Sequence, residues 1–303
     1  MKNIQSFSLA LFTLLVLTNI GCDTDEPEIP VVRVWEDVRN DFDAIDISVG
    51  IHDEALKTDD GKTWNFRIIA PSVETSTTYP LIIHLHGASG GDPDAHKATA
   101  CYMEPGFEDM DAFIISPNGG TEQWNELDNQ TMVIYLTLLA REFWPVDSDK
   151  IVVTGYSNGG NGSWFFGETQ PTLFKAAIPM ASSYSTIHSD GSVRLMPNPM
   201  YVIHGENDEL FPLAETQDWV SQTVDAGSSI EFVVADGLGH YVPCDYVSYL
   251  KDAVTWLRNE DFPKYISPKS KIVNISLSSE SSVGITTSSE RVFIQYSLSS
   301  SGI

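Results

Sequence analysis

The stretch 151–166, with the sequence IVVTGYSNGGNGSWFF, constrains the fold more than any other part of the chain. Its apolar first residues predict a buried strand, and its last residues predict the start of a helix. Between them, Gly155 and Gly159 flank Ser157 in a G-x-S-x-G pattern. Because glycine has no Cβ, strand and helix can approach across a sharp turn that leaves the serine strained and exposed. The pattern is typical of a nucleophile elbow.

The same short pattern occurs a second time, at Gly87, Ser89 and Gly91. A pattern of such common residues is weak alone, so the surrounding sequence has to separate the two occurrences. Ser89 is followed by an Asp-Pro pair at 92–93, which indicates a turn or helix entry without an immediate helical run. Ser157 is therefore the better candidate nucleophile, and a structural glycine-rich turn is the alternative.

Apolar strand-like runs alternate with helical patterns along the rest of the chain. The runs lie at 44–51, 63–70, 81–86, 112–116, 151–154, 176–180, 200–204 and 230–235, and the helical patterns lie at 128–143, 213–226 and 245–258. The first two runs suit an antiparallel edge. The alternation predicts an α/β fold with a mostly parallel sheet covered by helices on both faces. Ligand chemistry in such sheets belongs at the carboxyl ends of the strands.

Two further candidates for catalysis follow strand ends. Asp208 emerges in a turn after the run 200–204, and His240 lies on the glycine-rich turn DGLGH after the run 230–235. Ser157, Asp208 and His240 stand in the chain order of an α/β-hydrolase triad. The acids that compete with Asp208 are Glu206, Glu209 and Asp236.

Each member of this triad would have its own task. A neutral His240 would accept the Ser157 proton during attack and later donate it to the leaving group. Asp208 would fix the imidazole tautomer and stabilise its transient positive charge. Among the seven histidines, His240 alone combines the right order with a loop position.

The sequence LIIHLHGASGG at 81–91 predicts a strand followed by a loop that receives an oxyanion. A carbonyl oxygen gains charge in a tetrahedral intermediate, and fixed backbone N–H groups stabilise it. We assign these two donors to the backbone of Ala88 and of Asn158. Ser89 would then belong to the oxyanion loop, which explains the second pattern.

Five segments together carry a family resemblance: HLHGASGG, SPNGGTEQWN, IVVTGYSNGG, VIHGENDELFP and DGLGH. They resemble secreted esterases of the feruloyl-esterase and polyhydroxybutyrate-depolymerase type over residues 63–258. The resemblance implies an α/β-hydrolase fold and a cleft bordered by residues 117–118 and 124–125. We expect Trp124 and His86 to contribute to substrate binding, with a buried core position as the alternative for Trp124. The segment after Ser157 is closer to a related group of predicted peptidases or esterases.

Charge and metal-ligand spacing exclude other classes of protein. The formal net charge is -25, so nucleic acid and anionic lipid would be repelled. No spacing of Cys and His residues resembles a zinc site, and we expect neither a metal nor another cofactor.

The state of the cysteines depends on the compartment in which the protein folds. Cys101 and Cys244 are the two thiols besides Cys22. In an oxidising compartment they can form a disulfide, and two buried free cysteines are the alternative. Cys244 lies four residues after His240, so both cysteines are expected to border one site.

The first residues read as a signal peptide, 1–21, with a short positive start and an apolar run too brief to span a bilayer comfortably. Cys22 follows in a context that resembles a bacterial lipoprotein cleavage site, although Asn19 stands where leucine is usual. The acidic cluster after Cys22 resembles the export signal of surface lipoproteins of the Bacteroidetes type. We expect Cys22 to carry a lipid, and ordinary secretion is the alternative.

These signals divide the chain into four parts. An acidic tether at 22–36 precedes the catalytic domain at 37–262. The serine-rich remainder, 263–303, has period-two patterns that suit a small β module or a fragment of an accessory domain.

The sequence thus favours an extracytoplasmic serine esterase, anchored in the cell envelope of a bacterium only through its lipid, or secreted. Polysaccharide-linked feruloyl or acetyl esters are the substrates that the resemblance favours. A polyester depolymerase and a serine peptidase of the same fold are the alternatives among enzymes. Outside enzymes, the alternative is a catalytically inactive carbohydrate-binding lipoprotein. The oligomeric state does not follow from the sequence.

Overall fold

The computed structural model describes residues 32–259. The predicted signal peptide, the lipidation site Cys22 and the serine-rich remainder 263–303 lie outside the described residues. The first helix, α1, spans Trp35–Asp43 and so begins two residues before the predicted start of the catalytic domain. The Val34 N–H donates to the Asp37 carboxylate at 2.8 Å, which caps this helix.

Eight strands form one sheet in the order β1-β2-β4-β3-β5-β6-β7-β8. In chain order the strands are β1 Gly50–Lys57, β2 Thr63–Ala70, β3 Tyr79–Leu85, β4 Phe113–Pro117, β5 Val146–Tyr156, β6 Ala176–Met180, β7 Met200–Gly205 and β8 Ile230–Ala235. The remaining helices are α2 Met103–Phe107, α3 Leu127–Phe143, α4 Asn158–Thr169, α5 Leu213–Asp225 and α6 Val247–Asn259, with short 3-10 helices at Ala95–Lys97 and Pro243–Tyr246.

The sheet is parallel from β4 through β3 to β8, and β1 and β2 form its antiparallel edge. An antiparallel edge was expected, but the predicted first strand at 44–51 is wrong. There the Asp46 side chain accepts the Ser48 N–H at 2.8 Å and closes a turn. Ile45 and Ile47 pack against the core from this turn, which imitates the alternation of a strand.

Core packing lies on both faces of the sheet because alternate strand residues point in opposite directions. Leu81 and Ile83 of β3 belong to the cluster that packs against α1, α3, α4 and α5. Ile82, between them, belongs to the cluster that packs against α2 and α6. Strands buried on both faces read as nearly continuous apolar runs, which is why the sequence located most of them.

This architecture confirms the predicted α/β-hydrolase fold, with a mostly parallel sheet and helices on both faces. The loops at the carboxyl ends of β3, β5, β7 and β8 carry the candidate site residues. Among residues 32–259, no helix combines the length and hydropathy that a membrane span requires.

Candidate active site

Ser157 lies at the junction of β5 and α4 in a conformation that L-residues rarely adopt. Its φ is 57° and its ψ is -119°. Glycines make this turn possible: a Cβ on Gly159 would lie 1.8 Å from the Leu85 carbonyl oxygen, and one on Gly155 would lie 2.4 Å from the Gly159 backbone. A positive φ at a non-glycine residue costs about 1–3 kcal/mol and persists only where the surrounding structure imposes it. The turn therefore holds Ser157 at the carboxyl end of β5, as expected for a nucleophile elbow.

A continuous chain of hydrogen bonds connects the three predicted triad residues. Ser157 Oγ lies 2.8 Å from His240 Nε2. His240 Nδ1 lies 2.9 Å from Asp208 Oδ2. If Nδ1 carries the proton and donates it to the carboxylate, Nε2 is left as an acceptor for the serine proton. His240 and Asp208 are 3% and 7% exposed, so this contact is shielded from water.

Asp208 is held by the backbone of its own loop. Its Oδ1 accepts the N–H groups of Leu210 and Phe211 at 3.0 and 2.7 Å. These bonds leave Oδ2 directed at the imidazole. In a catalytic triad the carboxylate orients the imidazole and balances the charge of the imidazolium.

The competing acids have different contacts. Glu209 Oε2 accepts the backbone N–H of His240 at 2.8 Å, and Glu206 Oε2 accepts the N–H of Gly237 at 2.8 Å. Asp236 is exposed. Glu206 and Glu209 thus brace the histidine loop, whereas Asp208 alone among these acids contacts the imidazole of His240.

Two buried tyrosines also hold the histidine loop. The Tyr156 hydroxyl donates to the His240 carbonyl oxygen, and the Tyr246 hydroxyl donates to the Gly239 carbonyl oxygen at 3.1 Å. Burial raises the pKa of both hydroxyls well above the usual value for tyrosine, so they stay protonated donors. Neither residue follows from the sequence, because a tyrosine beside the nucleophile carries no pattern of its own.

The loop after β3 lies beside the nucleophile, where the predicted oxyanion donors are required. A Cβ on Gly87 would lie 3.5 Å from Ser157 Cβ. Ala88 is exposed, and Asn158 is the first residue of α4, whose N–H has no partner within the helix. Ser89 Oγ donates to the Gly120 carbonyl oxygen at 3.1 Å, so this serine braces the loop.

His86 and Trp124 both brace this loop through hydrogen bonds, and their expected role in substrate binding stays a prediction. The Gly119 N–H donates to His86 Nε2 at 2.9 Å, so the protonated Nδ1 donates to the Gly87 carbonyl oxygen at 2.6 Å. Burial lowers the pKa of His86. The Trp124 indole N–H donates to the His86 carbonyl oxygen at 2.9 Å, and Trp124 is only 1% exposed. Both residues are buried, and Trp124 is also among the residues that line the cavity beside the elbow.

A disulfide joins Cys101 and Cys244. Cys244 lies in the short 3-10 helix that follows the histidine loop, and Cys101 lies just before α2. The bridge therefore links the segment after His240 to the segment just before α2, and α2 and α6 pack against the same face of the sheet.

A cavity of about 270 Å³ adjoins the elbow and was not found from the sequence. It is lined by Gln123, Trp124, Asn125, Asn158, Asn161, Gly162, Phe165, Ser183, Tyr184 and Ser185. The residues of the 183–185 segment follow β6 without a motif, so no signal in the sequence marks them. The segment 124–125 was expected at the cleft, and the cavity includes it.

The catalytic half of the chain is similar to a known family. A family model described as the dienelactone hydrolase family matches residues 121–260, which is just under half of the 303-residue chain. The match covers Ser157, Asp208 and His240 but not the loop at 86–91. No curated protein sequence matches the chain.

Solved structures with this fold include several hydrolases. A thermostable esterase is 21% identical, with a TM-score of 0.59 over 69% of this chain and 62% of its own. The chain thus spans less than two thirds of that esterase. Fluorophosphonate-binding serine hydrolase F of Staphylococcus aureus is 15% identical, with a TM-score of 0.59 over 70% of this chain and 100% of its own. A ferulic acid esterase is 16% identical, with a TM-score of 0.55 over 69% and 98% of the two chains. These similarities show the fold.

Proposed function

We propose that this protein is a serine esterase that hydrolyses carboxylic esters through an acyl-Ser157 intermediate. The observation that carries the proposal is the unbroken chain from Ser157 Oγ through His240 to Asp208, with contacts of 2.8 and 2.9 Å. It lies at the strand ends of an α/β-hydrolase sheet, and the loop after β3 approaches Ser157 closely at Gly87. A serine hydroxyl is a weak nucleophile without such a base, and this arrangement supplies one.

In the acylation step, Ser157 Oγ attacks the ester carbonyl carbon while His240 Nε2 takes the serine proton. The carbonyl oxygen becomes an oxyanion, which the backbone N–H groups of Ala88 and Asn158 stabilise. Loss of one such donor typically costs about 3 kcal/mol of transition-state stabilisation. His240 then gives its proton to the alkoxide that leaves, and the acyl group stays on Ser157.

Deacylation repeats the same steps with water as the nucleophile. His240 takes a proton from a water molecule, whose oxygen attacks the acyl carbon. Collapse of the second tetrahedral intermediate breaks the bond to Ser157, and His240 returns a proton to Oγ. Asp208 stabilises the imidazolium in both halves without itself taking up a proton.

For the substrate class we favour polysaccharide-linked feruloyl or acetyl esters. The motif resemblance to feruloyl esterases supports this choice. A second support is Tyr241, which is 70% exposed and lies with its ring centre 5.2 Å from that of His240. An exposed aromatic ring beside the proton donor can pack against the apolar face of a sugar that leaves as the alcohol.

We further propose that the enzyme acts outside the cytoplasm, held in the cell envelope by a lipid on Cys22. The supports are the signal-like start and the acidic segment after Cys22. Mass spectrometry of the mature protein tests the anchor, because a lipidated Cys22 must be the first residue. An unmodified Cys22 in the mature protein would refute it.

Hydrolysis of p-nitrophenyl acetate tests the esterase proposal directly. We expect the wild type to be active and Ser157→Ala to lose about four to six orders of magnitude in kcat. The matched control is Ser89→Ala, which removes the serine of the other G-x-S-x-G pattern and should cost far less. Equal rates for wild type and Ser157→Ala, with no labelling by a fluorophosphonate probe, would instead favour the inactive binding protein.

A panel of substrates then tests the ester class. Methyl ferulate, acetylated xylan, a polyester film and a peptide amide are compared by kcat/KM with the same enzyme preparation. Highest kcat/KM on the first two supports the favoured class. Preference for the film or the amide would replace it with the depolymerase or the peptidase.

A further inference from the structure

A second buried histidine, His204, lies beside the triad near the end of β7. Its side chain is fully buried, and its Nε2 lies 2.8 Å from the Phe211 carbonyl oxygen. A carbonyl oxygen can only accept, so Nε2 carries the ring proton and donates it. Burial lowers the pKa of His204, so the ring is neutral at pH 7. The proposed reaction assigns no step to this ring.

Phe211, which accepts this bond, contacts two members of the triad. Its N–H donates to Asp208 Oδ1 at 2.7 Å, and its ring lies edge-on to the His240 ring with the ring centres 5.1 Å apart. One residue therefore connects His204 to both the acid and the base. A displacement of the Phe211 backbone would move the carboxylate and disturb the packing of the imidazole at the same time.

The direct contact between His204 and the triad acid is longer than a hydrogen bond. His204 Nε2 lies 3.8 Å from Asp208 Oδ2, the oxygen that contacts His240. The effect of His204 on the carboxylate therefore passes through the backbone of Phe211.

The other ring nitrogen indicates what the histidine contributes. Nδ1 of His204 is buried and has no hydrogen-bond partner within the described residues. A buried acceptor without a partner costs free energy, and a leucine of similar volume would avoid this cost. The ring also stacks on Phe232 of β8, with the ring centres 6.5 Å apart, and an apolar side chain could fill that position as well. The N–H donor at Nε2 is what the histidine adds to such packing.

We infer that His204 is a positioning residue of the active site, whose N–H holds the Phe211 carbonyl and so keeps Asp208 aligned with the base. The inference rests on the proposed esterase function and adds a residue that is fully buried and so cannot touch the substrate. A shift of about 1 Å in a catalytic group can cost about a hundredfold in rate. Loss of the N–H should therefore lower kcat and leave KM nearly unchanged.

Kinetics of p-nitrophenyl acetate hydrolysis with three variants of this residue test the inference at pH 7. His204→Leu removes the donor and keeps the apolar bulk, so we expect kcat to fall about ten- to a hundredfold with KM within about twofold. His204→Gln can place an amide N–H near the position of Nε2, so kcat should stay within about fivefold of the wild type. The side chain of His204→Asn ends near the position of Nδ1 and cannot reach the Phe211 carbonyl, so this variant should resemble His204→Leu.

The matched control is Asn198→Leu, just before the other end of the same strand. The buried Asn198 side chain donates to the carbonyl oxygens of Pro171 and Phe174 at 2.7 and 2.6 Å. Its loss removes buried hydrogen bonds to backbone carbonyls, as His204→Leu does, but at the end of the strand away from the triad. Asn198→Leu should lower the urea midpoint at least as much as His204→Leu and keep the wild-type kcat. An equal fall in kcat for both variants would attribute the effect to lost stability and overturn the inference.

Nitrogen NMR with isotope-labelled histidine supplies a readout that needs no turnover. The chemical shift of His240 Nδ1 reports its hydrogen bond to Asp208. His204→Leu should move this shift toward that of a histidine in water, and His204→Gln should leave it at the wild-type value. An unchanged shift in His204→Leu would contradict a role in holding the carboxylate.

The possible failures are distinguishable. Wild-type kcat in His204→Leu, or a kcat in His204→Gln as low as in His204→Leu, would overturn the inference and leave the esterase in place. If His204→Leu does not fold, the two amides decide, because only the longer one keeps the donor, and equal kcat in both would overturn the inference. Absence of Ser157-dependent hydrolysis of any ester would overturn the proposed function, while the NMR comparison would still test whether His204 holds Asp208 against His240.

Discussion

The hydroxyl of Tyr156 donates a hydrogen bond to the backbone carbonyl oxygen of His240. The residue immediately before the nucleophile therefore fixes the backbone of the base, 84 residues later in the chain. The ring centres of Tyr156 and His240 lie 5.7 Å apart, and Tyr246 packs edge-on against Tyr156. The distance between Ser157 Oγ and His240 Nε2 depends on this contact as well as on the elbow.

Tyr156→Phe removes this hydrogen bond and keeps the ring. We expect a loss of about 1 kcal/mol in the free energy of unfolding and roughly a tenfold fall in kcat, with KM little changed. Thermal unfolding and p-nitrophenyl acetate kinetics measure the two effects. The matched control is Tyr201→Phe, a buried tyrosine of β7 that packs against Trp256. A fall in kcat as large in Tyr201→Phe would contradict a specific role for the Tyr156 hydroxyl.

Asp208→Asn tests which acid orients the base. An amide at this position can donate to Nδ1 and favour the wrong tautomer of His240, so we expect kcat to fall by about four orders of magnitude. Glu209→Gln is the matched change on the neighbouring residue. Its side-chain oxygen can still accept the His240 N–H, so we expect a fall of about tenfold or less. The reverse ranking of the two variants would assign the orienting role to Glu209.

The sequence predicts the parts of this fold that have a strong local cause. Buried strands such as β6 and β7 appear within one residue of their predicted positions because continuous apolar runs have few alternatives. The edge strand β1 was predicted too early in the chain. Its residues alternate between partly buried and exposed, and the turn before it has a similar alternation of apolar and polar residues. The helix α1 was not predicted, and its residues were divided between the tether and the start of the catalytic domain. It is short, and most of its residues are polar, so its apolar pattern is weak.

The site residues also divide into those whose positions have a local cause in the sequence and those whose positions depend on distant contacts. Chain order and glycine spacing lead to Ser157, Asp208 and His240, because the elbow and the strand ends are local features. The orientation of a loop side chain is not local. Trp124 lies in the segment expected at the cleft, yet its indole ring is turned beneath the loop and hydrogen-bonded to the His86 carbonyl oxygen. Sequence alone gives no direction for such a ring.

Gly159→Ala tests the packing that forms the elbow. A Cβ here would lie 1.8 Å from the Leu85 carbonyl oxygen, so the backbones of β3 and α4 would have to separate. We expect a loss of more than about 4 kcal/mol in the free energy of unfolding, or failure to fold. Urea denaturation measures it.

Gly227→Ala is the control for this change. Gly227 has a φ of +111° but nothing within 4 Å of its Cβ position, so its substitution introduces backbone strain without a collision. We expect a loss of about 1–3 kcal/mol. Because Gly159 has no positive φ, a loss as small as that of Gly227→Ala would contradict the close approach of β3 and α4 as a severe constraint at the elbow.

The disulfide between Cys101 and Cys244 closes a long loop, with a sequence separation of 143 residues. The double variant Cys101→Ser/Cys244→Ser should lose about 2–5 kcal/mol in the free energy of unfolding. Denaturation with and without dithiothreitol measures this, because the reductant should lower the midpoint of the wild type but not of the double variant. If the reductant acts equally on both proteins, the bridge is not the cause of the change.

His84 makes the stability of the protein depend on pH. Its ring is fully buried on β3, and burial lowers its pKa from 6.5 to about 3. Both ring nitrogens bond to hydroxyls, Nδ1 to Ser116 at 3.0 Å and Nε2 to Tyr102 at 2.6 Å, which suits a neutral imidazole. Below its ordinary pKa the unfolded chain takes up a proton that the folded protein does not, so stability falls as the pH falls from about 6.5 toward 3.

At pH 5 protonation of His84 in the unfolded chain lowers the free energy of unfolding by about 2 kcal/mol. Each pH unit below the ordinary pKa contributes about 1.4 kcal/mol. His84→Gln should be less stable than the wild type at pH 7, because it disturbs the buried hydrogen bonds, but it should lose less stability on going to pH 5. Urea denaturation at both pH values gives the two slopes. The control is His52→Gln, because His52 is a half-buried residue of the edge strand β1 that bonds to the Ser48 carbonyl oxygen. Equal pH slopes for wild type and His84→Gln would show that His84 does not control this loss of stability.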